Sequence, residues 1–165
     1  MGLTAITEKI EIGAPADQAF RFATDTEHIP RILPRALRAN VARRSHRHLG
    51  PGTTLDLTLH LVGFALRAEV AVAVWEANRH VGYVWRSGPF HPWEHDIWFE
   101  PLSTTRCRII HCLIYRPPWG VLGAALDFLW FRRTTRRALR RLGPSWEAGA
   151  RKDADHPSST GITEI

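Results

Sequence analysis

The sequence predicts an α+β fold in which a curved antiparallel sheet of about seven strands wraps around a long C-terminal helix, with two short helices after the first strand. Three observations support this fold class. Residues 4–13 alternate between apolar and polar side chains, strand-like segments follow one another at short spacing from residue 37, and the apolar period becomes helical after residue 118. Consecutive strands with short connections form an antiparallel meander. One helix covers the concave face of such a sheet without filling it, which predicts an internal pocket.

The first strand and two short helices open the chain. The strand is predicted over residues 4–13, with its isoleucines on the core side. Pro15 suits a first helical turn, and the apolar residues within 19–23 give the first helix its buried stripe. A second helical piece is predicted over residues 27–32, because Pro34 would stop it.

Six further strands are predicted from their content of β-branched and aromatic residues and from the Gly, Asn, Pro or Ser residues that separate them. They span residues 37–46, 53–62, 64–75, 81–87, 93–101 and 105–115. The first of them ends before a turn at Gly50-Pro51-Gly52. These strands supply the meander.

His60 lies in a strand whose alternate positions are leucines, and the leucines are predicted to face the core. A two-residue turn at Val62 and Gly63 would pair Leu59 with Leu66 and leave His60 facing outward. A β-bulge at Gly63 would instead turn His60 inward, which keeps it as a pocket candidate.

The long helix is predicted to be well buried and to run to Leu142, where Gly143 and Pro144 stop it. Two apolar stripes indicate its burial. They consist of Leu122, Ala125, Leu126 and Leu129 in one stripe, and of Phe128, Phe131, Leu139 and Leu142 in the other. The residues that follow are mostly small and polar, which predicts a single domain over residues 1–146 and a disordered tail over residues 147–165.

Length, composition and cysteine content narrow the function classes. The 165 residues are 44% hydrophobic and 23% charged, which fits one soluble globular domain. Cys107 and Cys112 lie five apart in one predicted strand and point to opposite faces, so they are expected to stay reduced. The chain does not begin like a signal peptide, and its longest apolar stretch, residues 121–131, is too short to span a bilayer. A cytoplasmic location is therefore predicted, and without a phosphate loop or dinucleotide fingerprint no cofactor is expected.

Two phrases carry a family resemblance: GPFHPWEHDIWFEP at residues 88–101 and IYRPPWGVLG at residues 114–123. Their ordered features are Gly88-Pro89-Phe90, Trp93, His95, Phe99, a Thr-containing turn, Tyr115, Pro117, Gly120 and Gly123. In this order they resemble the polyketide cyclase/dehydrase-like branch of the START-like (SRPBCC) superfamily. The resemblance implies a helix-grip fold with a hydrophobic cavity, a plan that both carriers and enzymes use. The catalytic residues of the cyclase relatives form no local motif that can be placed here, so the resemblance assigns no catalytic residue.

Two histidines are the main candidates for a functional site. Alternation along residues 93–101 and 105–115 turns His95 and His111 toward the inner face. A hairpin turn at residues 102–104 would place them directly opposite each other, with β-carbons about 5 Å apart. The pair could anchor a ligand carbonyl or hydroxyl, act as acid and base in an enolisation or dehydration, or form a neutral buried network. No metal is expected, because neither strand offers a third ligand.

The sequence favours a carrier or sensor for a small hydrophobic ligand, such as a lipid, an isoprenoid or a polyketide-like molecule. The predicted cavity is lined by Trp85, Trp93, His95, Ile97, Ile109, His111, Leu113, Leu126 and Leu129. The alternative is a cyclase or dehydratase in which His95 or His111 shuttles a proton. A third interpretation is an interaction protein whose interior is filled.

The last candidate is a basic segment near the end of the long helix. It contains Arg132, Arg133, Arg136, Arg137, Arg140 and Arg141, which supply much of the net charge of +6. A solvated helix face is the first interpretation, and an anionic membrane surface or an acidic partner is the second. No base-reading motif accompanies the charge, so no specific nucleic acid is predicted as a partner. The oligomeric state does not follow from these patterns.

Overall fold

The computed structural model describes residues 2–28, 38–44, 49–61, 64–87, 91–117 and 120–155. Its strands are β1 (Thr4–Ile12), β2 (Arg38–Arg44), β3 (Thr54–Leu61), β4 (Phe64–Glu76), β5 (His80–Ser87), β6 (Trp93–Ser103) and β7 (Arg106–Tyr115). Within the described ranges these seven strands form one sheet in the order β1-β7-β6-β5-β4-β3-β2. Each neighbouring pair is antiparallel, so β2 to β7 are a meander and β1 adds to its last strand. The predicted α+β class is confirmed.

The sheet is curved, and its pairing shifts register at several points. The shifts lie between Val41 and Arg43 in β2, at two places in β4, and between Pro101 and Ser103 in β6. A β-bulge bends its strand and increases the local twist, so these irregularities help the sheet to curve. The curvature leaves a concave face for the helices.

The predicted pairing around His60 is confirmed. Leu59 pairs with Leu66, and His60 pairs with Ala65, as a two-residue turn at positions 62 and 63 requires. The turn itself lies outside the described residues, and the side chain of His60 is not described. Whether His60 contacts a pocket therefore stays a prediction.

The first helix, α1 (Ala16–Thr24), follows Pro15 and buries Ala19, Phe20, Phe22 and Ala23. A single 3-10 turn, Thr26–His28, comes next, at the start of the segment predicted as a second helix. Residues 29–32 of that predicted helix lie outside the described ranges. The ring of Phe20 meets Trp75 and Phe99 edge to face, with centroids 5.0 and 5.4 Å apart, which fixes α1 against the sheet.

The long helix consists of α2 (Gly120–Leu126), a π-helical turn (Asp127–Phe131) and α3 (Arg132–Arg140). Asp127, Phe131, Thr135 and Leu139 are buried, whereas Leu126 and Leu129 are 47% and 66% exposed. The prediction that Leu126 and Leu129 line the cavity is therefore wrong. The π turn inserts an extra residue into the helical repeat, and the side chain of Asp127 turns to the sheet. Of the other apolar stripe, Phe131, Leu139 and Leu142 are buried, whereas Phe128 is 65% exposed.

The chain continues as α4 (Gly143–Asp155), so the predicted disordered tail is wrong for residues 147–155. Trp146 and Ala150 on this helix have no exposed surface, and Trp146 packs edge to face against Phe22 at 5.9 Å. Glu147 accepts a hydrogen bond from the backbone N–H of Gly13 at 3.0 Å. Gly149 also lies close to the ring of Phe22, a contact that no apolar stripe in the sequence indicates. Residues 156–165 of the predicted tail lie outside the described ranges.

Candidate functional site

The inner face of the sheet carries a row of aromatic rings. The rings of Trp85 and Trp93 are stacked with centroids 4.7 Å apart, and the Trp93 ring lies 5.2 Å from that of Tyr115. Tyr115 in turn meets Phe131 of the π turn at 5.3 Å. The row therefore runs from β5 across β6 and β7 to the long helix. Rings that pack against one another in this way form an apolar wall suited to a flat or hydrocarbon ligand.

Most of the predicted cavity residues lie on this face. Buried positions that point inward are Trp85, Trp93, Ile97, Ile109, His111 and Leu113, and His95 is half-buried among them. Leu126 and Leu129 are the two that the structure places elsewhere. The alternation rule for strands thus located the inner face correctly, whereas the helical stripe did not.

His95 and His111 are in contact, but not directly opposite each other as predicted. His95 pairs with Leu113, and Ile97 pairs with His111. The predicted register is wrong because the turn falls at Thr104 and Thr105 rather than at residues 102–104, which shifts the pairing by two residues. Diagonal neighbours on one face remain within reach of ring side chains. Nε2 of His95 lies 3.2 Å from Nδ1 of His111, a hydrogen bond in which one ring donates and the other accepts.

Both histidines are held in the neutral form. Burial lowers the pKa of His95 to about 4, against a smaller opposing effect of the Asp96 carboxylate. Burial, and to a smaller extent the proximity of His95, holds the pKa of His111 well below its usual range. Nε2 of His111 has no hydrogen-bond partner in the described part of the chain. At pH 7 the two rings are therefore uncharged and share one hydrogen bond.

Two further aromatic side chains complete the surroundings of the pair. Tyr83 of β5 pairs with His95, with ring centroids 6.4 Å apart, and burial raises the pKa of its hydroxyl. Trp146 of α4 meets His111 edge to face at 5.5 Å and stacks near Phe99 at 6.2 Å. Neither residue is among the predicted cavity residues. Tyr83 lies two residues before Trp85 on β5, so strand alternation could have identified it, whereas Trp146 reaches the site only because α4 folds back onto the sheet.

A buried carboxylate anchors the long helix at the end of this row. Asp127, 3% exposed, accepts hydrogen bonds from Thr4 Oγ1 at 3.0 Å, from the Tyr115 hydroxyl, and from Arg132 Nε at 2.7 Å. Burial and the hydrogen bond to Asp127 raise the pKa of the Tyr115 hydroxyl. The network joins the helix to β1 and β7 together, and it fixes which helix face meets the sheet. The only signal of this network in the sequence is an acidic residue inside an apolar run.

A second buried carboxylate, Glu8, points inward from β1 with Ile6 and Ile10. It accepts a hydrogen bond from Arg140 Nε at 2.7 Å and lies 3.6 Å from Arg136 Nε. Three of the six arginines in the basic segment thus pair with buried acids, since Arg132 pairs with Asp127. The other three, Arg133, Arg137 and Arg141, are exposed. Half of the arginines in the basic segment therefore attach the helix to the sheet.

Comparisons with known proteins agree with this architecture. The family model described as polyketide cyclase/dehydrase and lipid transport matches residues 12–142. A Thermus thermophilus protein structure superimposes with a TM-score of 0.72 at 18% identity, covering 92% of this chain and 99% of that one. A START superfamily protein from Mycobacterium smegmatis gives a TM-score of 0.67 at 17% identity over 90% and 97% of the two chains.

The Zhui aromatase/cyclase from Streptomyces is also similar, with a TM-score of 0.62 at 14% identity over 96% of this chain and 98% of that one. Among curated proteins, none matches this sequence. The predicted helix-grip fold is confirmed by these structural likenesses.

Proposed function

The chain belongs to the polyketide cyclase/dehydrase and lipid transport family, and from this premise we propose that it binds a small hydrophobic molecule between the inner face of the sheet and the helices. The ligand class is a lipid, an isoprenoid or a polyketide-like compound that carries a carbonyl or hydroxyl group. The observation that carries the proposal is His95, a half-buried neutral imidazole among the aromatic and aliphatic side chains of β5, β6 and β7.

The position of His95 supports a role as polar anchor. Its neighbours on the same side of β6, Trp93 and Ile97, are buried, and His95 between them is half-buried. His111 fixes the ring through the 3.2 Å hydrogen bond. A neutral imidazole can donate to a carbonyl or accept from a hydroxyl, and its desolvated surroundings strengthen such a bond. The aromatic row at Trp85 and Trp93 supplies apolar surface for the remainder of the ligand.

The alternative function is a cyclase or dehydratase in which His95 or His111 moves a proton. The hydrogen bond between the two rings favours it, because it would relay a proton from the ligand to the second imidazole. The low pKa of His95 opposes it, since a general base works best when its pKa is near the working pH. With a pKa of about 4, His95 accepts a proton too weakly to be an efficient base at neutral pH. We therefore infer binding, which the aromatic row and the low pKa of His95 support together.

Displacement of a fluorescent fatty acid from the full chain tests the proposal. The competitors are a long-chain ketone and the alkane of the same length, which differ only in the carbonyl. In His95→Leu the ketone should lose about five- to tenfold in affinity, the value of one hydrogen bond, while the alkane keeps its affinity. His95→Gln retains a donor and an acceptor and should keep most of the ketone affinity. Native mass spectrometry of protein from its own host would add the ligand class.

Two results would overturn the proposal. One is a protein that carries no apolar molecule and binds neither the fatty acid nor the competitors. The other is an equal loss for ketone and alkane in His95→Leu, which would show that His95 only supports packing. Turnover of a polyketide-like substrate that His95→Gln abolishes would favour the enzyme instead.

A further inference from the structure

One face of the long helix exposes large apolar side chains to solvent. Leu122, Phe128 and Leu129 are 65–66% exposed, and Leu126 and Trp130 are 47% and 49% exposed. We define these five residues together with Arg133 and Arg137 as the outer helix face. Soluble proteins rarely expose large apolar residues in such a contiguous group without a binding partner. Leu122, Leu126 and Leu129 share one side of the helix by their spacing, and the ring of Phe128 lies 6.0 Å from the Arg132 guanidinium.

The protein holds these residues outside by specific contacts. Rotation of the helix to bury Leu126 and Leu129 would withdraw Asp127 from Thr4 and Tyr115 and would expose Phe131. Removing a buried carboxylate from its donors is costly, so the orientation of the helix is firmly set. The exposure of the apolar residues is therefore a property of the folded protein.

The charge of the same segment is strongly one-sided. Within residues 120–142 the sole acidic residue is Asp127, which is buried and hydrogen-bonded. Arg133, Arg137 and Arg141 are exposed, and none of them forms an ion pair in the ranges that the structure covers. The helix is therefore apolar on its outer side up to Trp130 and basic from Arg133 onward.

We propose that the outer helix face docks on the surface of an anionic lipid bilayer. A bilayer presents hydrocarbon and negatively charged phosphates in adjacent layers, which matches an apolar half and a basic half on one helix. The leucines and Phe128 would enter the outer acyl region, Trp130 would lie at the interface that tryptophan prefers, and Arg133 and Arg137 would bind phosphates through paired N–H donors. None of the described helices has the length and apolar character needed to cross a bilayer.

Docking in this orientation would place the ligand site next to the lipid phase. Asp127 bonds to Tyr115, whose ring continues through Trp93 to Trp85. The aromatic row therefore begins beneath the outer helix face. Exchange of a bound ligand with the bilayer would rest on the function proposed above, whereas docking itself does not depend on that function.

Co-sedimentation of the full chain with vesicles tests the inference. Vesicles of phosphatidylcholine mixed with phosphatidylserine are compared with vesicles of phosphatidylcholine alone, at low and at raised salt. Leu122→Ser/Leu129→Ser removes apolar contacts, and Arg133→Gln/Arg137→Gln removes two cations. The control Arg79→Gln/Arg106→Gln removes the same charge from the β4–β5 turn and from the sheet face opposite the helix.

We expect binding to the anionic vesicles that raised salt weakens. The leucine variant should lose about tenfold or more in partition, and the arginine variant about fivefold per arginine, whereas the control should lose much less than the arginine variant. Fatty-acid displacement in the leucine variant should be unchanged, which separates failure of docking from failure of ligand binding.

Absence of vesicle binding by the unmodified protein would overturn the inference. Equal losses in the control and the arginine variant would reduce it to non-specific charge attraction and overturn it as well. A dimer in sedimentation velocity that Leu122→Ser/Leu129→Ser converts to a monomer would assign the face to a second copy of the chain instead.

Discussion

Replacement of Gly149 by alanine tests the packing of α4, because this packing decides whether the free energy of unfolding falls or rises. A Cβ built on Gly149 would lie 2.1 Å from Cε2, 2.4 Å from Cζ and 2.7 Å from Cδ2 of Phe22. The Phe22 ring is 1% exposed and packs against Trp146, so it has little room to move away. Because these contacts are so short, the inserted methyl group should cost toward the upper part of the usual range, about 2–3 kcal/mol. The helix propensity of alanine over glycine returns about 1 kcal/mol. We therefore expect Gly149→Ala to destabilise the protein by about 1–2 kcal/mol.

The assay is urea unfolding followed by far-UV circular dichroism, with the unfolding free energy taken from linear extrapolation. The control is Gly143→Ala at the start of the same helix, where an added Cβ meets no atom within 4 Å. That change should be neutral or slightly stabilising. In Phe22→Leu the smaller side chain leaves room for the methyl group, so Gly149→Ala should cost less in that background. If Gly149→Ala were as harmless as Gly143→Ala, α4 would not pack on α1 and the described position of residues 143–155 would be wrong.

Two further predictions concern the polar groups beneath the helices. Asp127→Ala should lower the unfolding free energy by about 3 kcal/mol, because Thr4, Tyr115 and Arg132 lose their shared hydrogen-bond acceptor. A decrease of less than about 1 kcal/mol in urea unfolding would contradict this hydrogen-bond network. His95 has a folded pKa of about 4, below the ordinary unfolded value of about 6.5, so the unfolded chain takes up the proton first and stability should fall as the pH drops through this window. The loss amounts to about 3 kcal/mol and should end near the folded pKa. His95→Gln should show a flatter dependence between pH 7 and 4, and equal slopes in the two proteins would refute the lowered pKa of His95.

Short-range patterns predicted the sheet well. The alternation in residues 4–13 appears in β1, where Ile6, Ile10 and Ile12 are all buried. The leucine row before Val62 predicted the β3–β4 register, because a shift by one residue would have turned every leucine to solvent. The inner face of β6 and β7 followed from the same rule. In each case a local constraint, the two-residue repeat of a strand, also decides burial.

The same rules failed where two registers satisfy the pattern equally. A shift of two residues between β6 and β7 keeps every side chain on its face, so alternation could not choose between His111 and Leu113 as the partner of His95. The turn at Thr104 and Thr105 decided it. The predicted contact between the two histidines is nevertheless present, because diagonal neighbours on a sheet are still close.

By itself, the sequence determined the order of elements, the antiparallel sheet and the side of each strand that faces the core, because these follow from repeats within a few residues. Tertiary structure alone decided which face of the long helix is buried, since both predicted stripes are apolar and the choice rests on the contacts of Asp127 with Thr4 and Tyr115 from distant strands. It also ordered residues 147–155, where Gly149 lies against Phe22 of α1 and Ala150 is buried, although the segment has no apolar pattern of its own. Long-range polar contacts and the close fit of small residues depend on which surfaces pack together, and no local repeat in the sequence determines this packing.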